Sequence, residues 1–131
     1  MVKKLVFCAV LIAASFCGPV TYAQQPEPIK RTLLQKGDFP GDKMATQLML
    51  IEVVPNGLVP RHTHPGGEVG YVLEGAIEFT IGEGPPKTFK QGDTYMIPVS
   101  VPHIAKAGPA GVKLMGTFVV EKDKPLATPA P

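Results

Sequence analysis

Short apolar runs separated by glycine and proline restrict the fold of this chain more than any other feature. The 131 residues contain 14 glycines and 15 prolines, and between them no stretch has an amphipathic helical pattern of useful length. The runs are rich in β-branched and aromatic residues, which favour strands. The predicted strands are 46–54, 68–73, 76–81, 94–97, 102–107 and 112–120. Many short strands with frequent turns predict an all-β fold, either a sandwich or a barrel.

The chain begins with the pattern of a secretory signal peptide. Lys3 and Lys4 precede an apolar run at 5–16, and the small residues that end at Ala23 predict cleavage between Ala23 and Gln24. An uncleaved membrane anchor is disfavoured because the run is shorter than the ~20 residues that a spanning helix needs. The predicted organisation is a signal peptide at 1–23, a mobile N-terminal segment at 24–28, a barrel domain at 29–123 and a Pro-rich tail at 124–131. The mature protein would then be exported, to the periplasm or outside the cell.

The predicted mature chain is close to neutral and has no cysteine. Lys3 and Lys4 account for the whole formal net charge of +2, which leaves 11 basic and 11 acidic residues. A balanced chain has no overall attraction to phosphate backbones or anionic lipid, so we expect no nucleic-acid partner and, after signal cleavage, no membrane partner. Cys8 and Cys17 both lie in the signal peptide, so the mature chain has no internal disulfide and no cysteine nucleophile.

A hairpin is predicted for residues 68–81, with Glu74 and Gly75 as its two-residue turn. Side chains alternate along a strand, so one face of this hairpin is expected to point inward. That face comprises Glu68, Gly70, Val72, Ile77, Phe79 and Ile81. Glu68 would thus lie in an apolar interior, and the nearby sequence supplies no obvious inward-facing cation, since Arg61 has the opposite parity to His62. In the last strand the residues expected to point inward are Val112, Leu114, Gly116, Phe118 and Val120.

All three histidines of the chain are placed to share a site with Glu68. His62 and His64 are two residues apart, so on an extended segment both imidazoles project to the same side. His103 shares its strand face with two alanines, whose small side chains leave space around it. An HxH pair by itself is more often a polar patch than a metal site. The inward glutamate favours the metal site, because a bound cation would compensate its charge.

Two motifs in this region resemble those of the cupin superfamily. The first motif, a glycine followed by HxH, a glutamate and a second glycine, is matched at Gly57, His62, His64, Glu68 and Gly75. Its one departure is four residues rather than five between the first glycine and HxH. The second motif is matched at Gly92, Pro98 and His103, with Ser100 in place of the usual glycine and Ala107 in place of the usual asparagine.

The resemblance implies a small double-stranded β-helix, or jelly-roll barrel, that binds one divalent transition metal. The metal ligands that it implies are His62, His64, Glu68 and His103. Gly57, Gly75 and Gly92 would be turn residues, and Pro98 a rigid bend. Three imidazoles and one carboxylate suit iron, manganese, nickel, copper or zinc. With an ordinary imidazole pKa of about 6.5, protons would compete with the metal below that pH.

Fold alone does not decide the function, because the cupins that this chain resembles include oxygenases, isomerases and ligand sensors. The predicted pocket lining is apolar and has no arginine or lysine, which favours an apolar or aromatic small molecule over an acid such as oxalate. This lining comprises Val72, Ile77, Phe79, Ile81 and Phe118. We therefore predict a metal-dependent oxygenase of the dioxygenase type. The alternatives are a non-catalytic metal- or ligand-binding module and a metal-dependent isomerase. Tyr71 and Leu73, on the outer face of the hairpin, further predict a homodimer.

Overall fold

The computed structural model describes residues 27–38 and 41–131. The predicted signal peptide, residues 1–23, and its cleavage point lie outside these residues. Within them the regular elements are eight strands, and the all-β prediction is confirmed. The strands are β1 (Ile29–Asp38), β2 (Met44–Val53), β3 (Leu58–Thr63), β4 (Gly66–Ile81), β5 (Lys87–Lys90), β6 (Thr94–Ile97), β7 (His103–Glu121) and β8 (Thr128–Pro129). The same residues contain no helix long and apolar enough to cross a membrane.

The strands form a barrel in which β7 is the central element. All the strand pairs are antiparallel, and β7, which is 19 residues long, pairs with β2, β3 and β4. One path through the sheet has the order β1-β2-β7-β3-β8, and β4 joins β7 to β5 and β6. Strands that are distant in sequence therefore lie side by side, in the double-stranded β-helix, or jelly roll, that the motifs predicted.

The hairpin predicted at residues 68–81 is wrong, because β4 continues through Glu74 and Gly75 without a turn. Both residues pair with β7, where Glu74 lies opposite Lys113 and Gly75 opposite Val112, and the register shifts on either side of them. Gly75 does have a positive φ, of 76°. A Cβ there would also collide with the carbonyl oxygen of Gly111. Glycine thus permits a bulged corner at which β4 and β7 bend together, a use that the sequence does not distinguish from a turn.

The inward faces predicted from alternation are confirmed by burial. The register shifts change the parity of β4 at its corner, as a two-residue turn would have done, so Glu68, Val72, Ile77 and Phe79 all point inward. In β7 the same holds for Val112, Leu114, Phe118 and Val120. Burying a side chain such as Phe118 or Ile77 stabilises the fold by about 1.5–3 kcal/mol. The barrel interior is therefore a packed apolar core into which a few polar groups project.

The C-terminal segment returns to the barrel. In β8, Pro129 pairs with His62 and Thr128 pairs with Thr63 of β3. Leu126, which precedes β8, packs against the hydrophobic core. The structure thus differs from the expectation of a tail without structure. The physical reason is the single leucine in a segment that otherwise consists mainly of proline and alanine, since its burial holds the segment across the edge strand β3.

Candidate metal centre

The structure brings together all four residues that the sequence assigned to one site. His62 lies on β3, His64 directly follows that strand, and Glu68 lies near the start of β4. His103 is the first residue of β7 and pairs with His62 across the ladder. The centroids of the three imidazole rings lie 4.2, 4.9 and 5.0 Å apart. Local strand alternation and one long-range pairing are therefore sufficient to form the cluster.

The three imidazoles are close enough to share one metal ion. One ring nitrogen from each of His62, His64 and His103 lies within 4.8 Å of the others, and all three residues are buried. The Glu68 carboxylate is adjacent, with Oε2 at 3.2 Å from Nε2 of His64. Nitrogen and carboxylate donors of this kind suit first-row transition metals.

Hydrogen bonds orient each imidazole toward the centre of the cluster. Nδ1 of His62 lies 2.7 Å from the carbonyl oxygen of Pro60, and Nδ1 of His103 lies 3.0 Å from that of Val101. Nδ1 of His64 lies 2.7 Å from the carbonyl oxygen of Leu126, in the C-terminal segment. A carbonyl only accepts, so each Nδ1 donates a proton to it, and Nε2 is the ring atom left to coordinate a metal. This is the second-shell arrangement that metal-binding histidines need, and the donor set fits a metal ion.

Burial favours the neutral form of two of these imidazoles, His62 and His103. Desolvation lowers the pKa of His62 from 6.5 to about 4, and the positive charge that His103 would carry adds to this effect, while the bond to Pro60 opposes it. Desolvation also lowers the pKa of His103. Protons therefore compete with a metal for His62 at a lower pH than the ordinary imidazole pKa indicated. At neutral pH a cation could bind at the cluster without first displacing protons from these two rings.

Tyr95 holds the carboxylate of Glu68, a role that the sequence reading missed. The Tyr95 hydroxyl donates a hydrogen bond of 2.7 Å to Oε1 of Glu68, and both side chains are buried. Desolvation, followed by the neighbouring Glu68 charge, raises the pKa of Tyr95, so the phenol remains a donor. Tyr95 pairs with Gly70 across the ladder, and a Cβ at Gly70 would overlap the phenol ring. The available signal was alternation in the strand 94–97, where Tyr95 and Ile97 share the inward face and Thr94 and Met96 are exposed.

Arg31 corrects the predicted pocket lining, which contained no arginine or lysine. It lies on β1 and lines the same cavity as the three histidines and Glu68. Desolvation lowers its pKa, and the negative charge of Glu68 opposes that effect. The prediction failed because β1 was not recognised as a strand and lies far from Glu68 in sequence. The alternation of Ile29 and Arg31 with exposed Lys30 was the only local sign.

The cavity at the cluster is small and largely apolar. Its space between atoms is about 320 Å³, with the open solvent at its mouth included. Of the five predicted lining residues, Ile77, Phe79 and Phe118 line it. Val72 does not, because it is wholly enclosed in the core, and Ile81 instead lines a surface depression with exposed side chains of β4 and β6. Arg61 lies outside the cavity, as expected, and contacts the carbonyl oxygen of Gly82 and the carboxylate of Glu83.

The motif positions outside the cluster are structural. Gly92 has a positive φ of 92°, which suits its predicted place in a turn. Ser100 occupies the position where the motif has glycine, and its φ is also positive, at 58°. Its amide donates to the carbonyl oxygen of His64 at 3.2 Å. The motif has glycine at this position because the backbone φ is positive. Serine adopts the same conformation here at a cost of about 1 kcal/mol.

Comparisons with known proteins agree with this geometry. The family model described as "Cupin domain" matches residues 49–115, about half of the chain. A germin-like protein, subfamily 2 member 2, of Arabidopsis thaliana is 38% identical over 74 residues, which are 52% of this chain and 34% of the relative. An auxin-binding protein of Prunus persica is 37% identical over 76 residues, 53% of this chain and 36% of that protein.

Solved structures give the same fold. KdgF from Halomonas sp. superposes with a TM-score of 0.60 at 21% identity, and the match covers 78% of this chain and 86% of that one. The chain spans only about a third of the length of the two plant relatives. The likeness therefore concerns one barrel and the residues within it.

Proposed function

The chain belongs to the cupin superfamily, and from that premise we propose that it is a metal-dependent oxygenase of the dioxygenase type. It would act on a small organic molecule held in the barrel cavity. The proposed metal ligands are His62, His64, Glu68 and His103. The observation that carries the proposal is the convergence of three buried imidazoles, each with its Nδ1 hydrogen bonded to a carbonyl oxygen, beside a buried carboxylate. When bound, a divalent metal held by these four residues would supply a site at which dioxygen, water or substrate could be activated.

The residues of the chain provide binding and orientation for that chemistry. Each Nε2 lone pair faces the centre of the cluster, and Tyr95 fixes Glu68 by its bond to Oε1. Phe79 and Phe118, with the aliphatic side chains of the cavity, exclude bulk water from the bound substrate. A dry, narrow site strengthens electrostatic interactions and restricts side reactions of an activated oxidant.

A non-catalytic ligand-binding module is the second candidate. The specific observation in its favour is the similarity to a protein named for binding auxin. In that case the metal and the cavity would hold a ligand without turnover. The metal-dependent isomerase considered from the sequence gains no support from the mainly apolar cavity.

Elemental analysis and oxygen uptake together test the proposal. The mature protein would be loaded separately with iron, manganese, nickel, copper and zinc, and then assayed with phenolic and keto-acid substrates. We expect near-stoichiometric metal and substrate-dependent uptake with one redox-active ion, both lost in His62→Ala. Thr63→Ala is the matched control, because Thr63 is the next residue on the same strand and points away from the cluster. Full metal binding with no uptake on any substrate would favour the binding module, and uptake retained in His62→Ala and Glu68→Ala would refute the metal-dependent oxygenase.

Export and dimer formation are also proposed. Export rests on the signal peptide predicted for residues 1–23. The homodimer rests on an exposed apolar patch formed by Val69, Tyr71 and Met96, whose side chains are 50, 45 and 61% exposed. Leu73, the other residue expected at this contact, is partly buried. A patch of three large apolar side chains on adjacent strands is a feature of subunit contacts.

A further inference from the structure

Arg31 is a positive group in a cavity that is otherwise apolar or occupied by the metal site. It lies opposite Ile51 in the pairing of β1 with β2, near the start of β1. Its side chain lines the cavity together with His62, His103 and Glu68. Arginine is more weakly hydrated than lysine and carries its donors in a rigid planar fork. It is therefore suited to binding an anion at a partly dry site.

The guanidinium has unused hydrogen-bonding capacity. Nε of Arg31 is buried and has no hydrogen-bond partner among the described residues. Among the residues that the structure describes, Arg31 forms no ion pair. The charge of Glu68 is nevertheless close enough to affect the pKa of Arg31. Oε1 of Glu68 accepts a hydrogen bond from Tyr95, and Oε2 lies 3.2 Å from Nε2 of His64. A buried donor without an acceptor is costly, and a ligand atom that accepts from it would recover that cost.

The charges around the cavity also favour an anion. Glu68 is the only acidic residue among those that line it, and Arg31 is the only permanent cation. Once a divalent metal is bound by neutral imidazoles and Glu68, the metal and Arg31 together leave about two uncompensated positive charges. An anionic ligand would reduce this excess in a site from which water is largely excluded.

We propose that Arg31 binds the carboxylate of a small organic acid held at the metal centre. This inference rests on the proposed function for the metal site, and it replaces the apolar or aromatic substrate predicted from the sequence with a carboxylate-bearing one. The planar guanidinium matches the two oxygens of a carboxylate. The narrow inner part of the cavity has room for about one water-sized group, which restricts this end of the ligand to a few atoms.

Calorimetric titration of the zinc-loaded protein with acetate tests this contact without turnover, because zinc has no redox chemistry. Acetamide is the neutral probe of the same shape, and inorganic phosphate is the larger anion. Arg31→Gln removes the charge, and Arg31→Lys keeps the charge but removes the fork. Lys30→Gln is the matched control, because Lys30 is the neighbouring residue on β1 and its side chain, 75% exposed, lies beside Glu52 outside the cavity. The metal-free protein, titrated in parallel, reports the contribution of Arg31 alone.

We expect Arg31→Gln to weaken acetate binding about 10- to 100-fold, the usual effect of losing a charge-assisted hydrogen bond. Lys30→Gln should remain within twofold of the wild type, and acetamide should bind weakly to every variant. Acetate binding that is unchanged in both Arg31→Gln and Arg31→Lys would overturn the proposal, as would acetamide or phosphate binding as tightly as acetate. If Arg31→Gln fails to fold, Arg31→Lys with normal zinc content decides the result, since loss of the fork alone should weaken acetate several-fold.

Failure of the oxygenase proposal gives a different result. It would appear as zinc-loaded protein that binds acetate through Arg31, while the redox-active forms consume no oxygen. Failure of the Arg31 proposal would leave oxygen uptake intact and acetate affinity independent of Arg31.

Discussion

Replacing Tyr95 by phenylalanine tests whether the carboxylate at the metal centre is held in place by the barrel. The change removes only the hydroxyl that donates to Oε1 of Glu68 at 2.7 Å. Tyr95 and Glu68 are 4 and 5% exposed, so water does not readily replace the lost donor. Without it, the carboxylate is free to rotate, and metal binding must restore its orientation.

The expected loss of metal affinity follows from this geometry. A hydrogen bond to a buried charged group contributes about 1.5–3 kcal/mol, and every 1.4 kcal/mol corresponds to a tenfold change in a dissociation constant. Tyr95→Phe should therefore weaken metal binding about 10- to 100-fold, which is also the usual effect of removing a group that orients a metal ligand. The fold should be retained, because the aromatic ring still packs between Phe79 and Phe89.

Competition between the protein and a chromophoric chelator for zinc measures this effect. Tyr71→Phe is the control, since Tyr71 is 45% exposed on the outside of the barrel. Gly70→Ala should reproduce the loss of affinity, because its methyl group would displace the Tyr95 ring. A zinc dissociation constant within twofold of the wild type for both Tyr95→Phe and Gly70→Ala would refute the role of Tyr95. In a Glu68→Gln background, Tyr95→Phe should change the zinc dissociation constant less than it does in the wild type, and a double-mutant cycle would detect this difference.

The remaining predictions concern pH, the C-terminal segment and assembly. The pKa of His62 is about 6.5 in the unfolded chain and about 4 in the folded protein, so on acidification the unfolded state binds the proton first. The free energy of unfolding of the metal-free protein should therefore decrease as the pH falls from 6.5 to 4, by at most about 3 kcal/mol. Chemical unfolding at a series of pH values measures this, and a profile in His62→Gln as steep as that of the wild type would contradict it. Ending the chain after Lys124 removes β8 and the carbonyl acceptor of His64, and we expect zinc affinity to fall about 10- to 100-fold while the strand content measured by circular dichroism is retained; unchanged affinity would exclude this role for the segment. Light scattering should give the mass of a dimer that Tyr71→Lys converts to a monomer, whereas a monomeric wild type at high concentration would remove the proposed interface.

The metal centre was predictable because its geometry depends mainly on local alternation. His62 and His64 share one face by their spacing, and Glu68 is assigned inward by the apolar residues that alternate with it. Glu68 points inward, as alternation predicted, even though the hairpin from which that prediction was derived does not exist. A two-residue turn and a bulged corner shift the alternation equally, so the pattern fixes the face of each residue without fixing the path of the chain.

The groups that were missed depend on pairings between distant segments. Arg31 reaches the cavity only because β1 is paired with β2, and Ile29–Asp38 has few buried residues by which a strand is recognised. Tyr95 reaches Glu68 because β6 pairs with β4 at Gly70, a register that the sequence of either strand does not specify. Residues whose role is set by cross-strand contacts are therefore less accessible to sequence reasoning than residues whose role is set by spacing.

The two histidines of the HxH pair differ in how the fold orients them. His62 and His103 each bond to the carbonyl oxygen two residues earlier, so a short extended segment is enough to fix the ring and its tautomer. His64 bonds instead to Leu126, 62 residues away, in a segment that is held by one buried leucine and a two-residue strand. Since His64 is also the imidazole in contact with Glu68, the position of the C-terminal segment affects two of the proposed ligands at once. A change that releases this segment would therefore weaken the metal centre before it weakens the barrel, because the paired strands that bury the core do not depend on β8.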